Sequence, residues 1–311
     1  REDHHNDMKI VLDALLRDIE IQCEERGYPD LVIFSGDLVF SGDQKSNFEN
    51  AKEYFIDPLL SLTRCSQDRF FIVPGNHDIS RQKALHPPYI EAGLKQEAES
   101  VSAVNSVIDR QLVSNVYDPA LARLDAYEEF VNKYFANNAI TKNIFVKSFA
   151  IDINGKKVGI ACFNSAWRAT GEGQQEYGNL IIGERAIDMV ENDLVDCNIR
   201  LAVHHHPIFW LKEFDQISVE PRLQKLFDIS LFGHVHRPIA HLNQSPLGKN
   251  ITCQGGCIYE SRYYFNGYNI AELDDENNHV ELYIRTYFDS PRREFDAANN
   301  VARGGLVSFD K

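Results

Sequence analysis

Apolar residues Met8, Val11, Leu12, Leu15, Leu16 and Ile19 recur at helical spacing, with Asn6 and Asp7 placed as caps and Gly27 placed to end the helix. After Pro29-Asp30 the pattern changes to a continuous apolar run, LVIF, which breaks at Ser35-Gly36-Asp37 as a buried strand entering a turn would. A second helical pattern around Ala51 to Leu62 leads to a second such run, RFFIV, which breaks at PGNHD. Helix followed by buried strand, twice over, predicts an α/β fold.

Residues from about 82 to 143 carry helical runs such as LARLDAYEEFVNKYF and no strand pattern, and read as a helical insertion or cap. Beyond them KSFAIDING and KKVGIACFNSA form two strands joined at Asn154-Gly155, a strong hairpin signal. GERAIDMVENDLVD is helical, IRLAVHHHP a strand, PRLQKLFDI a short helix, and SLFGHVHRP a short strand with a loop. NITCQGGCIYE and GYNIAELDDENNHVELYIRTYF read as strands, the latter with a hairpin turn between Asp274 and Asn278. Strands alternating with helices, then antiparallel pairs, predict a two-sheet β-sandwich flanked by helices, with residues 1–311 as one domain.

Composition narrows the class. The 311 residues, 43% of them hydrophobic, suffice for a full core, so disorder is not the default. The formal net charge of −14 would repel polyphosphate, so a nucleic-acid substrate requires a local cationic centre. The six cysteines are scattered without a CxxC pair and lie in apolar runs, which reads as reduced core thiols and a reducing, cytoplasmic compartment. Cys253 and Cys257 lack the two further donors that a structural zinc site needs. No apolar run approaches the roughly 20 residues of a membrane span, and no signal-peptide pattern is present.

Four polar clusters close predicted strands: SGD at Asp37, GNHD at Asn76 to Asp78, HHHP at His204 to His206, and GHVH at His234 and His236. In open α/β sheets that edge is where ligands bind. Carboxylate, amide and imidazole donors without thiolate suit manganese, iron, zinc or nickel. Asp37 could bridge two cations, and the period-two spacing of His234 and His236 would put both imidazoles on one face of an extended segment. Gly36, Gly75 and Gly233 precede these polar groups where the chain must turn tightly.

In this order the clusters resemble the calcineurin-like metallophosphoesterase family, whose pattern is D-x-H, G-D, G-N-H-[DE], H-x-P and G-H-x-H. The resemblance covers residues 31 to about 240. It implies the metallo-dependent phosphatase fold and two divalent metal ions, manganese foremost. Asp37 would bridge the two; Asn76, His205 and His234 would complete one metal and His236 would serve the other. It also implies that His77 faces the substrate and protonates the leaving oxygen, oriented by Asp78, while a metal-bridging hydroxide attacks phosphorus. The metals would then be the cationic centre that the acidic surface demands.

The family's D-x-H is absent from its expected place on a strand. Asp3-His4-His5 satisfies the letters, but no apolar strand precedes it, and the expected strand is placed before residue 1. His204 and His206 fall on the opposite side of the strand from His205 by alternation, and are assigned to packing or substrate contact. His86, His241 and His279 read as ordinary surface or core residues, and ELDDENN as a solvated turn.

Within the family, LVFSGD after Asp37 departs from the protein Ser/Thr phosphatases, and Phe40 stands where purple acid phosphatases place a metal-binding tyrosine. HHHP and GHVHRP look more like the cyclic-nucleotide and nucleic-acid phosphodiesterases. The expected function is therefore hydrolysis of a nucleotide or nucleic-acid phosphodiester, nuclease activity included. The alternatives are a phosphomonoesterase of the same fold or a catalytically impaired scaffold lacking D-x-H. The polar tail REFDAANNVARGGLVSFDK suggests a domain fused to, or regulated by, another module.

Overall fold

A computed structural model describes residues 2–113, 118–258, 265–274 and 276–310, with side chains from residue 7 onward. Helix α1 (Glu2–Arg26) starts ahead of the expected caps and buries Val11, Ala14 and Leu15. The backbone of Asp3-His4-His5 lies in this helix, and their side chains lie outside the described residues. β1 (Val32–Phe34) follows, then α2 (Lys45–Ala51), a π turn (Lys52–Ile56) and α3 (Asp57–Thr63), which lead to β2 (Phe70–Ile72). The two strands pair in parallel, Val32 beside Phe70 and Phe34 beside Ile72, so the chain leaves both at one edge.

The next stretch is helical, as its sequence predicts: α4 (Arg81–Leu85), α5 (Pro88–Glu97), α6 (Val101–Val113), a 3-10 turn (Pro119–Leu124) and α7 (Asp125–Tyr134). Leu94, Val104, Ile108 and Tyr127 join the same apolar core as Leu15 of α1 and Ile72 of β2. This segment is a packed wall of the main core.

β3 (Val146–Ile153) and β4 (Lys156–Phe163) form the expected hairpin, with Asn154 at φ 53° and Gly155 at φ 81°. α8 (Glu184–Glu191), β5 (Ile199–Val203), α9 (Glu213–Leu226), β6 (Ile229–Phe232), β7 (Ala240–Ser245) and β8 (Gly248–Gln254) complete a six-stranded sheet. Its order is β3-β4-β5-β6-β8-β7, with a parallel centre and an antiparallel strand at each edge. α9 starts eight residues before Pro221, where the apolar pattern placed the helix, because Val219 also reaches the core.

β9 (Gly267–Asp274), β10 (His279–Phe288), β11 (Glu294–Ala297) and β12 (Leu306–Asp310) form a second antiparallel sheet. The polar tail is thus built into the fold, its alternation supplying two strands that pair in succession along one edge of β10, opposite β9. Phe71, Val73, Val280, Leu282 and Ile284 pack against Phe149, Ile160, Leu201 and Ile251 of the large sheet. One sandwich layer is therefore the six-stranded sheet; the other consists of β1-β2 together with the four-stranded sheet. Asp18 of α1 ties the second layer to the helices, accepting from Arg285 Nε at 2.9 Å and Tyr268 Oη at 2.7 Å while 5% exposed.

Candidate functional site

Parallel pairing of β1 with β2 brings the SGD and GNHD turns together. Gly36 has φ 99°, and a Cβ there would lie 2.5 Å from His205 Nδ1. A Cβ at Gly75 would lie 2.1 Å from Asp37 Oδ1, so only glycine lets the two turns touch. Asp37 Oδ1 accepts the His77 amide at 2.8 Å, and Oδ2 lies 3.1 Å from His205 Nε2.

His205 follows the end of β5. Its Nδ1 donates to the Ser35 carbonyl at 2.6 Å, which aims Nε2 inward. His234 Nδ1 lies 3.3 Å from that Nε2, and the His234 ring meets Trp210 edge-on at 4.0 Å between centroids. β6 ends at Phe232, and His234 and His236 take φ 69° and 48° around Val235, whose amide bonds the Gly233 carbonyl at 2.9 Å. The extended spacing expected of this pair is replaced by a tight turn. His236 is half-buried.

β5 ends at Val203, so alternation does not govern the three histidines that follow. His204 packs flat on Phe232 at 5.5 Å, and burial pushes its imidazole down to about 4. His206 instead turns towards His234, their rings 4.6 Å apart, with Nδ1 on Ser165 Oγ at 2.9 Å. One ligand atom from each of His205, His206 and His234 falls within 4.8 Å of the others, so His206 joins the cluster from which alternation had set it apart.

The expected pairing of Asp78 with His77 is corrected. Asp78 is fully buried and accepts three backbone amides, Asp37 at 2.8 Å, Gly75 at 2.9 Å and Val39 at 3.0 Å. The His77 imidazole is held elsewhere: Nδ1 lies 3.2 Å from the Phe40 carbonyl and 3.1 Å from Arg81 Nη2.

The electrostatics follow from this packing. Burial would raise Asp37, but His205 and the His77 amide outweigh it and hold the carboxyl below its ordinary range. Burial would lower His205, but Asp37 holds it above its ordinary value. Burial and then repulsion from His205 push His234 down to about 3 and His206 well down, so both are neutral donors. Burial and the neighbouring Asp37 charge push Asp78 up to about 7.

Asn76 Oδ1 and His206 Nε2 are buried without a hydrogen-bond partner. An orphaned buried acceptor ordinarily costs about 1–3 kcal/mol, and a cation meeting it removes that cost. Together with Asp37, His205 and His234, these oxygen and imidazole donors fit a divalent ion. Ser35, Ser165, Phe40, Arg81 and Trp210 were not singled out as site residues in the sequence. Arg81 carries one faint signal, standing four residues beyond His77.

A family model described as calcineurin-like phosphoesterase matches residues 3–238. A curated relative, an uncharacterized metallophosphoesterase-like protein from Bacillus subtilis (strain 168), is 22% identical over 292 residues; the match covers 91% of this chain and 56% of the relative. Thermus thermophilus sulfate thiohydrolase SoxB is 13% identical with a TM-score of 0.41, covering 89% of this chain and 42% of its own. A predicted phosphoesterase from Streptococcus pneumoniae TIGR4 is 12% identical with a TM-score of 0.34, covering 96% and 91%.

Proposed function

The chain belongs to the calcineurin-like phosphoesterase family, and from that premise we propose that it is a metal-dependent phosphodiesterase acting on a nucleotide or nucleic-acid diester. The observation that carries the reading is the buried, unpartnered Oδ1 of Asn76, in the turn whose neighbours Gly75 and His77 meet Asp37. Asp37, Asn76, His205, His234 and His236 would hold two divalent ions. Manganese is the first choice, and iron, zinc or nickel also suit the donors. Such ions supply, when bound, polarisation of the phosphoryl group and activation of the attacking water.

The chain's own groups do the rest. Ser35 fixes the His205 ring, Asp78 holds the turns that carry Asp37 and Asn76, and the low charge state of His234 and His206 keeps their lone pairs available. With Nδ1 of His77 turned towards the Phe40 carbonyl, to which it can donate, and Arg81 Nη2, from which it can alternatively accept, Nε2 is the nitrogen left to face the leaving oxygen. Residues 1–311 would form one phosphoesterase domain with residues 82–143 as its helical insertion. A cytoplasmic location accords with the buried Cys162 and Cys253 thiols, which burial pushes up to about 12 and so keeps unreactive. No helix among the described residues is long and apolar enough to cross a membrane.

Hydrolysis of bis-p-nitrophenyl phosphate tests the reading. Turnover should require a divalent metal, manganese foremost, exceed that of the monoester, and fall with Asn76→Ala. A monoester preference, or turnover indifferent to Asn76, would overturn it.

A further inference from the structure

Phe40 is 80% exposed at the mouth of the site while its neighbour Val39 is 7% exposed. The backbone on both sides of the ring is held in place. Asp78 grips the amides of Asp37 and Val39 on one side of Phe40. On the other side the Gly42 amide bonds His77 O at 2.9 Å and Ile79 O at 3.1 Å, and a Cβ at Gly42 would lie 2.1 Å from Asp78 O. A ring left in water forfeits the gain of burial, and a clamped loop makes that loss permanent unless a flat partner covers it.

The ring stands beside the chemistry. Its centroid is 5.6 Å from that of His77, inclined at 45°. The Arg81 guanidinium lies 5.7 Å from the Phe40 centroid while its Nη2 reaches His77. Arg81 is itself fixed, since Gly171 packs so closely that a Cβ there would come within 2.5 Å of its Nε. In a chain of net charge −14, a guanidinium pinned beside His77 gives that side of the site an attraction for an ester anion.

We propose that Phe40 and Arg81 form a subsite for the base of a nucleoside phosphate, the base stacking on Phe40 while Arg81 faces the phosphate. This deepens the reading given above and rests on His77 facing the leaving oxygen. Stacking on an aromatic side chain accepts every base, so the subsite selects nucleosides as a class.

Calorimetric binding of adenosine 5′-monophosphate and of ribose 5-phosphate, both with manganese present, tests the subsite without requiring turnover. The unaltered chain should bind the nucleotide at least tenfold more tightly. Phe40→Ala and Phe40→Leu should cut that preference below threefold, and Phe40→Tyr should keep it. Arg81→Gln should weaken both ligands at least threefold. Phe209→Ala, at another exposed ring, 49% exposed, should keep the preference. Absence of nucleotide binding or of a preference, its survival in Phe40→Ala, or its loss only in Phe209→Ala would overturn the proposal; unchanged affinities in Arg81→Gln would overturn Arg81's part. Diester turnover measured alongside separates the two claims. A Phe40-dependent preference without turnover would sink the phosphodiesterase reading alone, and turnover without the preference would sink the subsite alone.

Discussion

Asp78 holds the backbone of Asp37 across 41 residues of sequence: Oδ2 accepts the Asp37 amide at 2.8 Å and, from the same atom, the Gly75 amide at 2.9 Å. The carboxylate is a strut between two turns, and Oδ1 extends the strut to Val39. Asp78→Ala would leave two buried and one partly buried N–H group unmet, at about 1–3 kcal/mol for each buried one. Loss of at least ~3 kcal/mol in urea unfolding is expected, together with loss of activity. Asp78→Asn, retaining one acceptor oxygen, should lose less of both. Equal stability of Asp78→Ala and the unaltered chain would refute the strut.

His77→Ala should lower kcat by roughly 10²–10⁴, the usual contribution of a positioned acid. The loss should be smallest with p-nitrophenolate, which leaves without a proton, and largest with an alkoxide leaving group. A loss independent of leaving-group pKa would assign His77 to binding instead.

Asp18 is buried and its partner Arg285 partly buried, with side chains 5% and 13% exposed. Asp18→Ala should cost about 1–3 kcal/mol because Arg285 and Tyr268 then lose a shared partner. The double change Asp18→Leu with Arg285→Met should cost less than Asp18→Ala alone in the same urea titration. A double variant less stable than the single one would show that the pair contributes net stability.

Burial pushes Asp215 up to about 6, although the Ile182 and Gly183 amides at 2.7 and 3.1 Å oppose the rise. A folded pKa above the unfolded value means that the folded state binds more protons between pH about 4 and 6. The stability from this group is full below about pH 4 and is lost as pH rises through about 6. Asp215→Asn cannot titrate, so its stability relative to the unaltered chain should improve as pH rises from about 4 to about 6. Urea midpoints at several pH values check this, and a constant difference would contradict it.

The site clusters were legible because each follows an uninterrupted apolar strand that stops at a glycine or a histidine run, a local pattern that owes nothing to distant residues. That signal locates the clusters holding Asp37, Asn76, His205 and His234, while the choice of these four within the clusters comes from the family resemblance. Asp78 was misread because its partners are backbone amides, which sequence does not label. Alternation failed at His206 and at His234-Val235-His236 because β5 and β6 stop short of them. β11 and β12 read as a polar tail because each packs only one face, so a short strand there carries few apolar residues. The helical run from α4 to α7 showed its type plainly, while its place in the shared core depends on long-range packing against the Trp167 and Ile181 region.

The most direct test is hydrolysis of bis-p-nitrophenyl phosphate against p-nitrophenyl phosphate, with manganese and after chelation, alongside metal content per chain. The expected result is faster diester turnover that chelator abolishes and manganese restores, with about two ions bound per chain, the number a dinuclear site requires. No turnover of either ester with fewer than about two ions bound, or turnover unaffected by chelator, would contradict the assignment of a metal-dependent phosphodiesterase.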